Sequence, residues 1–198
     1  MNKKLIFITT LGLYIPLTLL TSEKSNQQTT RKYSLGDFNS EQDTQQILEI
    51  FSKDREWLSS NYSPPSYHNY LLGCQKPSCN IKVLRENEEV AGYIMYKKNW
   101  FKQGSITQLA VSDKFRNKGY GKLLVSTAME ELNGMNLYST NIICHPDNTA
   151  ALDFYKKMGF VKRYTTSDFV LLRYNFTVAH TDVSEQPPTD IFQQPWDL

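Results

Sequence analysis

Arg116-Asn117-Lys118-Gly119-Tyr120-Gly121 sets two glycines one residue apart among basic side chains, with Lys122 immediately after. The hydrophobic spacing places these residues between a strand and the start of a helix. A helix start offers unpaired backbone N–H groups and a partial positive charge, which suits a phosphate. Glycine lets a ligand approach the backbone with no Cβ in the way. Arg116, Lys118 and Lys122 add mobile positive charge at the same place. The competing reading is a solvated turn in which the glycines serve only the bend, since glycine-rich turns are common. Two other phosphate-binding patterns fail on spacing. A P-loop needs G-x-x-x-x-G-K-[ST], and Gly121-Lys122-Leu123 lacks both the first glycine and the hydroxyl. A dinucleotide fingerprint needs G-x-G-x-x-G, and only one G-x-G is present.

The elements that must hold this loop follow from periodicity. Ser105 to Val111 reads as a strand, and Leu124, Ala128 and Leu132 recur every four residues, so a helix runs from about Gly121 to Leu132. Asn133-Gly134 is expected to end it through a left-handed residue. Leu137 to Cys144 is a further strand. Asp147-Asn148 can cap a helix carrying Ala151, Phe154, Tyr155 and Met158 on one face, closed by Gly159. Val161 to Tyr174 holds two strands about a turn near Thr166-Ser167-Asp168.

Upstream, Arg31 to Leu35 alternates as a first strand. Ser40 and Asp43 suggest a capping box before a helix with Ile47, Leu48, Phe51 and Leu58 on one face. Asn61 to Pro77 reads as an extended loop or short helices. Ile81 to Leu84 and Val90 to Tyr96 form an antiparallel hairpin across Arg85 to Glu89. One central mixed sheet with helices on its faces fits this order, an α/β architecture.

Leu109-Ala110-Val111, the run Arg116 to Gly121, Asn148, and Ala151-Leu152-Asp153-Phe154-Tyr155-Lys156-Lys157-Met158-Gly159-Phe160 together resemble the GNAT superfamily of N-acetyltransferases. The similarity covers roughly Tyr33 to Tyr174, and its strong motifs lie between Gln108 and Phe160. The resemblance implies a mostly antiparallel central sheet with helices on both faces. It also implies a splayed pair of parallel strands that admits acetyl-CoA as acyl donor, and an amine as acceptor. By position, Leu109, Ala110 and Val111 should pair with the pantetheine arm. Arg116, Asn117, Lys118, Gly119, Tyr120, Gly121 and Lys122 should surround the pyrophosphate, and Asn148 should hydrogen-bond the cofactor arm. Tyr155 should stand near the sulfur as the general acid. Without the resemblance, Tyr155 reads as a core aromatic on an apolar helix face.

The chemistry so implied is attack of a neutral amine on a thioester, with a backbone N–H near Val111 stabilising the oxyanion. A tyrosine hydroxyl (ordinary pKa about 10) is a weaker acid than a thiol (about 8.5), so a hydrogen bond that stabilises the thiolate is the safer role for Tyr155. Many members of the superfamily carry a Glu base on one of the two central strands. The corresponding positions hold Ser105 and Ile143, neither of which is a base. His145 is a substitute candidate because imidazole titrates near neutrality. Asp147, Glu130 and His68 are weaker candidates, and water relaying the proton is an alternative. The missing carboxylate keeps a second reading open, a non-catalytic acyl-CoA-binding module. The acceptor pocket is expected along Asn61 to Leu72 and at the turn near Thr166.

The whole chain bounds these readings. It has 198 residues, 40% hydrophobic and 13% aromatic, enough for one domain with a substantial core. Its 22 Lys and Arg against 20 Asp and Glu give no global field for nucleic acid. Residues 1–22 place Lys3 and Lys4 before an apolar run from Leu5 to Leu20, the layout of a secretory signal. An uncleaved membrane anchor and a buried N-terminal element are the rivals. Residues 23–30 form a polar linker, 31–176 the domain, and 177–198 a tail rich in Gln, Pro and Asp. Cys74 and Cys79 are spaced for a small disulfide loop after export, and Cys144 reads as a buried small hydrophobe. No ligand set for a metal is present in the sequence.

Overall fold

The computed structural model describes residues 33–58, 63–74, 79–99 and 101–177. The leader, the linker, and the tail apart from Thr177 lie outside the described residues. Seven strands make one sheet: β1 (Tyr33–Asp37), β2 (Cys79–Glu86), β3 (Glu89–Lys98), β4 (Gln103–Val111), β5 (Ser139–Cys144), β6 (Val161–Thr165) and β7 (Val170–Asn175). Their order is β1-β2-β3-β4-β5-β7-β6, and β4–β5 is the one parallel pairing among the described strands. The helices are α1 (Ser40–Lys53), α2 (Arg55–Leu58), α3 (Pro64–Gly73), α4 (Tyr120–Gly134) and α5 (Thr149–Lys157).

Local chemistry sets the ends, and some fall differently from the sequence expectation. The N-cap of α1 is Asn39, not Ser40. Its Oδ1 accepts from the N–H groups of Glu41 and Gln42, while the Asn39 N–H donates to Asp43 at 2.7 Å. The reciprocal box is therefore real but starts one residue earlier. α1 stops at Lys53, and Leu58 belongs to α2. The β2–β3 turn is tighter than expected. Asn87 and Glu88 both take positive φ, 53° and 70°, as a two-residue hairpin turn requires. α4 runs through Gly134, and the left-handed residue that follows is Asn136 (φ 55°) rather than the glycine. α5 ends as expected at Gly159, with φ 90°.

Each face of the sheet has its own core. Leu124, Ala128 and Leu132 of α4 and Tyr155 of α5 pack on one face with Ile94, Ile106, Ile142 and Leu172. On the other, Ile47 and Phe51 of α1 and Tyr67 and Leu71 of α3 pack with Val83, Tyr93 and Met95. This second core draws on β2, β3 and β4 and takes no described residue of β5, β6 or β7. α1 is pinned to β2 by the buried Asp43 carboxylate, which accepts from Arg85 Nε at 2.9 Å and from its Nη2. The disulfide Cys74–Cys79 ties the end of α3 to the start of β2. Inside that face, the Tyr67 hydroxyl donates to Gln108 Oε1 and meets the Tyr93 hydroxyl at 3.1 Å. Burial raises the pKa of both tyrosines, so each stays a neutral donor.

The feature that matters for function is where the parallel pairing stops. β4 and β5 pair through Gln103↔Ser139, Gly104↔Thr140, Ser105↔Asn141 and Ile106↔Ile142, and no further. Beyond Ile106, β4 keeps its partner β3 as far as Val111, while β5 keeps β7. Thr107 is the extra residue of a β-bulge against β3, between the pairs Met95↔Gln108 and Tyr96↔Ile106. A bulge bends its strand and raises its twist, which accounts for β4 turning away from β5 at that residue.

Candidate active site

A cleft of about 650 Å³ opens where the strands part. Of the residues expected there, Leu109, Ala110, Val111, Arg116, Asn117, Gly119, Tyr120, Gly121, Lys122 and Asn148 line it. Lys118 and Tyr155 do not. The remaining wall comes from Asp54, Trp57 and Leu58 at the end of α1 and in α2, from Phe115, and from Asp147, Thr149, Ala150 and Phe154 about α5. Phe154 could have been found from sequence, since it lies one turn after Ala150 on α5. Asp54 and Trp57 could not, because nothing local ties them to a loop some sixty residues away.

The end of β4 presents backbone to the cleft. The Ser112 N–H bonds to the Ala91 carbonyl at 2.9 Å, so strand alternation turns Leu109 and Val111 backbone groups away from β3 and toward the gap. Val111 C=O accepts from Arg116 Nε at 3.1 Å. The rest is an open strand edge, suited to a ligand with amide groups of its own.

The glycine loop is built for close approach. Gly119 has φ 83°, a left-handed conformation, and nothing lies within 4 Å of the position its Cβ would take. At Gly121 a Cβ would sit 3.6 Å from Phe154, inside the cleft rather than inside the core. The first intrahelical bond of α4 runs from Leu123 N–H to Gly119 C=O. The N–H groups of Gly121 and Lys122 therefore precede the helical ladder and remain for an anion.

Two of the three loop cations expected to be mobile are tied down. Arg116 holds both Asp54 carboxylate oxygens, at 2.7 and 2.8 Å, and reaches Asp113 at 2.9 Å. Lys118 holds both oxygens of Glu86 at 3.0 Å, which removes it from the cleft wall. Lys122 makes no ion pair among the described residues. The anion site thus rests on oriented amides, with Arg116 bracing the loop against α1.

On the facing side, Asn148 caps α5 through Oδ1, which accepts from Ala151 N–H at 3.1 Å. Its side-chain NH₂ is the group left for a ligand. Tyr155 is only 4% exposed, edge-on to both Phe154 and Phe160. Burial, with Cys144 nearby, raises its pKa well above the ordinary value. The hydroxyl is therefore held protonated, as a donor to a thiolate must be. Burial pushes the Cys144 thiol up to about 12, so it is no nucleophile.

No strand carboxylate supplies a base. Ser105 faces the α1–α3 side, and Ile143, one residue past the last parallel pair, is 50% exposed. The His145 ring lies edge-on to Trp57, and its Nδ1 accepts from Asp147 N–H at 3.2 Å. His145 does not line the cleft. This geometry does not present His145 as a base.

Comparison with known proteins agrees with the geometry. The model of the acetyltransferase (GNAT) family matches residues 44–160, well over half of the chain. The chain belongs to that family. It is 30% identical over 129 residues to N-alpha-acetyltransferase 30 of Xenopus laevis, covering 63% of this chain but 45% of that protein. The chain therefore spans less than half the length of that relative. It is 26% identical over 130 residues to an N-alpha-acetyltransferase of Sulfurisphaera tokodaii, covering 60% of this chain and 74% of that one. Among solved structures, the PaiA N-acetyltransferase of Thermoplasma acidophilum in complex with coenzyme A shares the fold, with TM-score 0.63 and 16% identity. The match covers 73% of this chain and 99% of that chain.

Proposed function

We propose that this chain transfers an acetyl group from acetyl-CoA to a primary amine, and that the amine is a peptide α-amine. The observation that carries the reading is the parting of β4 and β5 after Ile106 and Ile142, with the glycine loop at one side of the gap and Asn148 at the other. The N-alpha-acetyltransferases of Xenopus and Sulfurisphaera support the choice of acceptor.

The residues divide the work as follows. The edge backbone of Leu109 and Val111 holds the pantetheine amides, and one of their N–H groups stabilises the developing oxyanion. The amides of Gly121 and Lys122 hold the pyrophosphate. Acetyl-CoA supplies the activated thioester. Tyr155 donates a hydrogen bond as the thiolate leaves. The proton lost by the amine passes to solvent water, because Ser105 and Ile143 offer no base and His145 does not line the cleft. The same absence favours the second reading, a CoA-binding module without turnover.

Release of free CoA, followed by thiol titration while the protein is offered acetyl-CoA and a panel of peptides and amines, separates the two. Acceptor-dependent release supports the enzyme. Saturable CoA binding with no release across the panel replaces it with the binding module.

We also infer export. The basic and apolar leader supports this, and so does the Cys74–Cys79 bond, because disulfides persist in oxidising compartments. Fractionation of the producing cell, with thiol alkylation of the recovered protein, checks it. Alkylatable Cys74 and Cys79 in a soluble reduced fraction would overturn it.

A further inference from the structure

The ladder row that crosses the sheet just before the strands part carries two cations, Lys97 and Arg173, that no carboxylate among the described residues holds. Lys97 of β3 lies opposite Ser105 of β4, Ser105 opposite Asn141 of β5, and Asn141 opposite Arg173 of β7. Directly opposed residues share a face. Leu172, the neighbour of Arg173, belongs to the core beneath α4 and α5, so this row looks out on the other side. The helix-covered core there takes no described residue of β5 or β7. The exposed Ile143, two residues beyond Asn141, shares this face at the open end of the gap.

Arg173 is half-buried, and its Nε donates to Asn141 Oδ1 at 2.9 Å, which fixes the guanidinium over β5. Arg163 is the extra residue of a β6 bulge opposite Leu171 and Leu172, next to Arg173 on β7; burial and this neighbour both lower the Arg173 pKa. Among the described residues, no carboxylate pairs with Lys97, Arg163 or Arg173. Elsewhere, Lys82, Arg85, Lys114, Arg116 and Lys118 each hold at least one. The nearest turn carboxylate, Asp168 between β6 and β7, accepts instead from the Ser167 hydroxyl. Two clustered arginines repel each other, and an anion between them turns that cost into attraction.

We propose that Arg173 and Arg163, with Lys97 at the rim, form the acceptor's anion subsite, selecting amines with a carboxylate roughly 7–10 Å from the reacting nitrogen. The distance follows from position, since the row lies two residues, about 7 Å, short of Ile143 at the open end of the gap. A peptide with Asp or Glu in its second or third position meets this requirement. The proposal rests on the N-acetyltransferase reading above.

The test is steady-state acetylation by the full chain of a peptide beginning Ser-Glu-Glu, against its Ser-Gln-Gln counterpart. At low salt the acidic peptide should have kcat/KM about tenfold higher, mainly through KM, with the gap closing as salt rises. Arg163→Gln and Arg173→Gln should each reduce that ratio about fivefold or more. Lys162→Gln, whose ladder partner is the core residue Leu172, should leave it in place. Should Arg173→Gln fail to fold, Arg163→Gln decides alone, because Arg163 is exposed. Equal kcat/KM for the two peptides, with acetylation intact, overturns the subsite and leaves the enzyme standing. CoA release with neither these peptides nor any other amine overturns both.

Discussion

Tyr155 carries the sharpest expectation at the scale of single residues. Its ring packs between Phe154 and Phe160 whether or not the hydroxyl is present, so Tyr155→Phe should leave the melting temperature and CoA affinity nearly unchanged. Turnover should fall ~10²–10⁴-fold, the range for a lost acid catalyst. Because the pKa is raised, no loss of turnover should arise from this group as pH climbs to 10. Stopped-flow and steady-state assays across pH check both statements. The glycines separate two effects that sequence alone merges. Valine at Gly119 would force a branched side chain into a left-handed backbone, costing about 1–2 kcal/mol or more before any ligand is considered. Alanine at Gly121 meets only ordinary contact with Phe154, so that variant should fold normally and still bind CoA about tenfold more weakly, as read by calorimetry. The glycine loop was legible because Gly119 stands at a left-handed backbone position and Gly121 faces the cleft. The pairings of Arg116 with Asp54 and of Lys118 with Glu86 were not, because a cation's partner is chosen by tertiary proximity.

Elements were legible where periodicity was long and less so at their ends. The apolar faces of α4 and α5 followed from spacing, whereas the caps of α1 and the end of α4 shifted because asparagine outcompeted the neighbouring serine and glycine. Asn39 presents a carbonyl oxygen to two N–H groups, and Asn136 takes the left-handed turn. The docking of α1 depends on one buried ion pair. Asp43→Ala would leave the Arg85 guanidinium without its carboxylate, and the loss should reach about 3–5 kcal/mol in denaturant titration. Replacing both, Asp43→Ala with Arg85→Met, should recover part of that loss. The Cys74–Cys79 bond closes a short loop, so its reduction should cost about 2 kcal/mol at most. The melting temperature should drop in reductant while CoA affinity holds, because α3 packs on the face away from α4 and α5.

At the scale of the molecule, several protonated groups are locked in the two cores. The unfolded chain releases tyrosine protons near pH 10, whereas folding holds Tyr67, Tyr93 and Tyr155 neutral above that value. Above pH 10 the unfolded state thus binds fewer protons, and stability should fall with rising pH, having been fully present below it. Chemical denaturation at pH 8, 9.5 and 11 should show midpoints that hold and then drop. The four-residue pairing of β4 with β5 has a consequence of another kind. It is a seam: β1 to α4 close their own ladders on one side, and β5 to β7 on the other. Cutting the chain between Asn136 and Leu137, in the turn that joins α4 to β5, should yield two fragments that reassociate weakly alone. Coenzyme A held as proposed above would touch the glycine loop of one fragment and Asn148 of the other, so it should act as the glue. Reassembly of the cut protein would then report the ligand's concentration, turning the split in the sheet into a sensor.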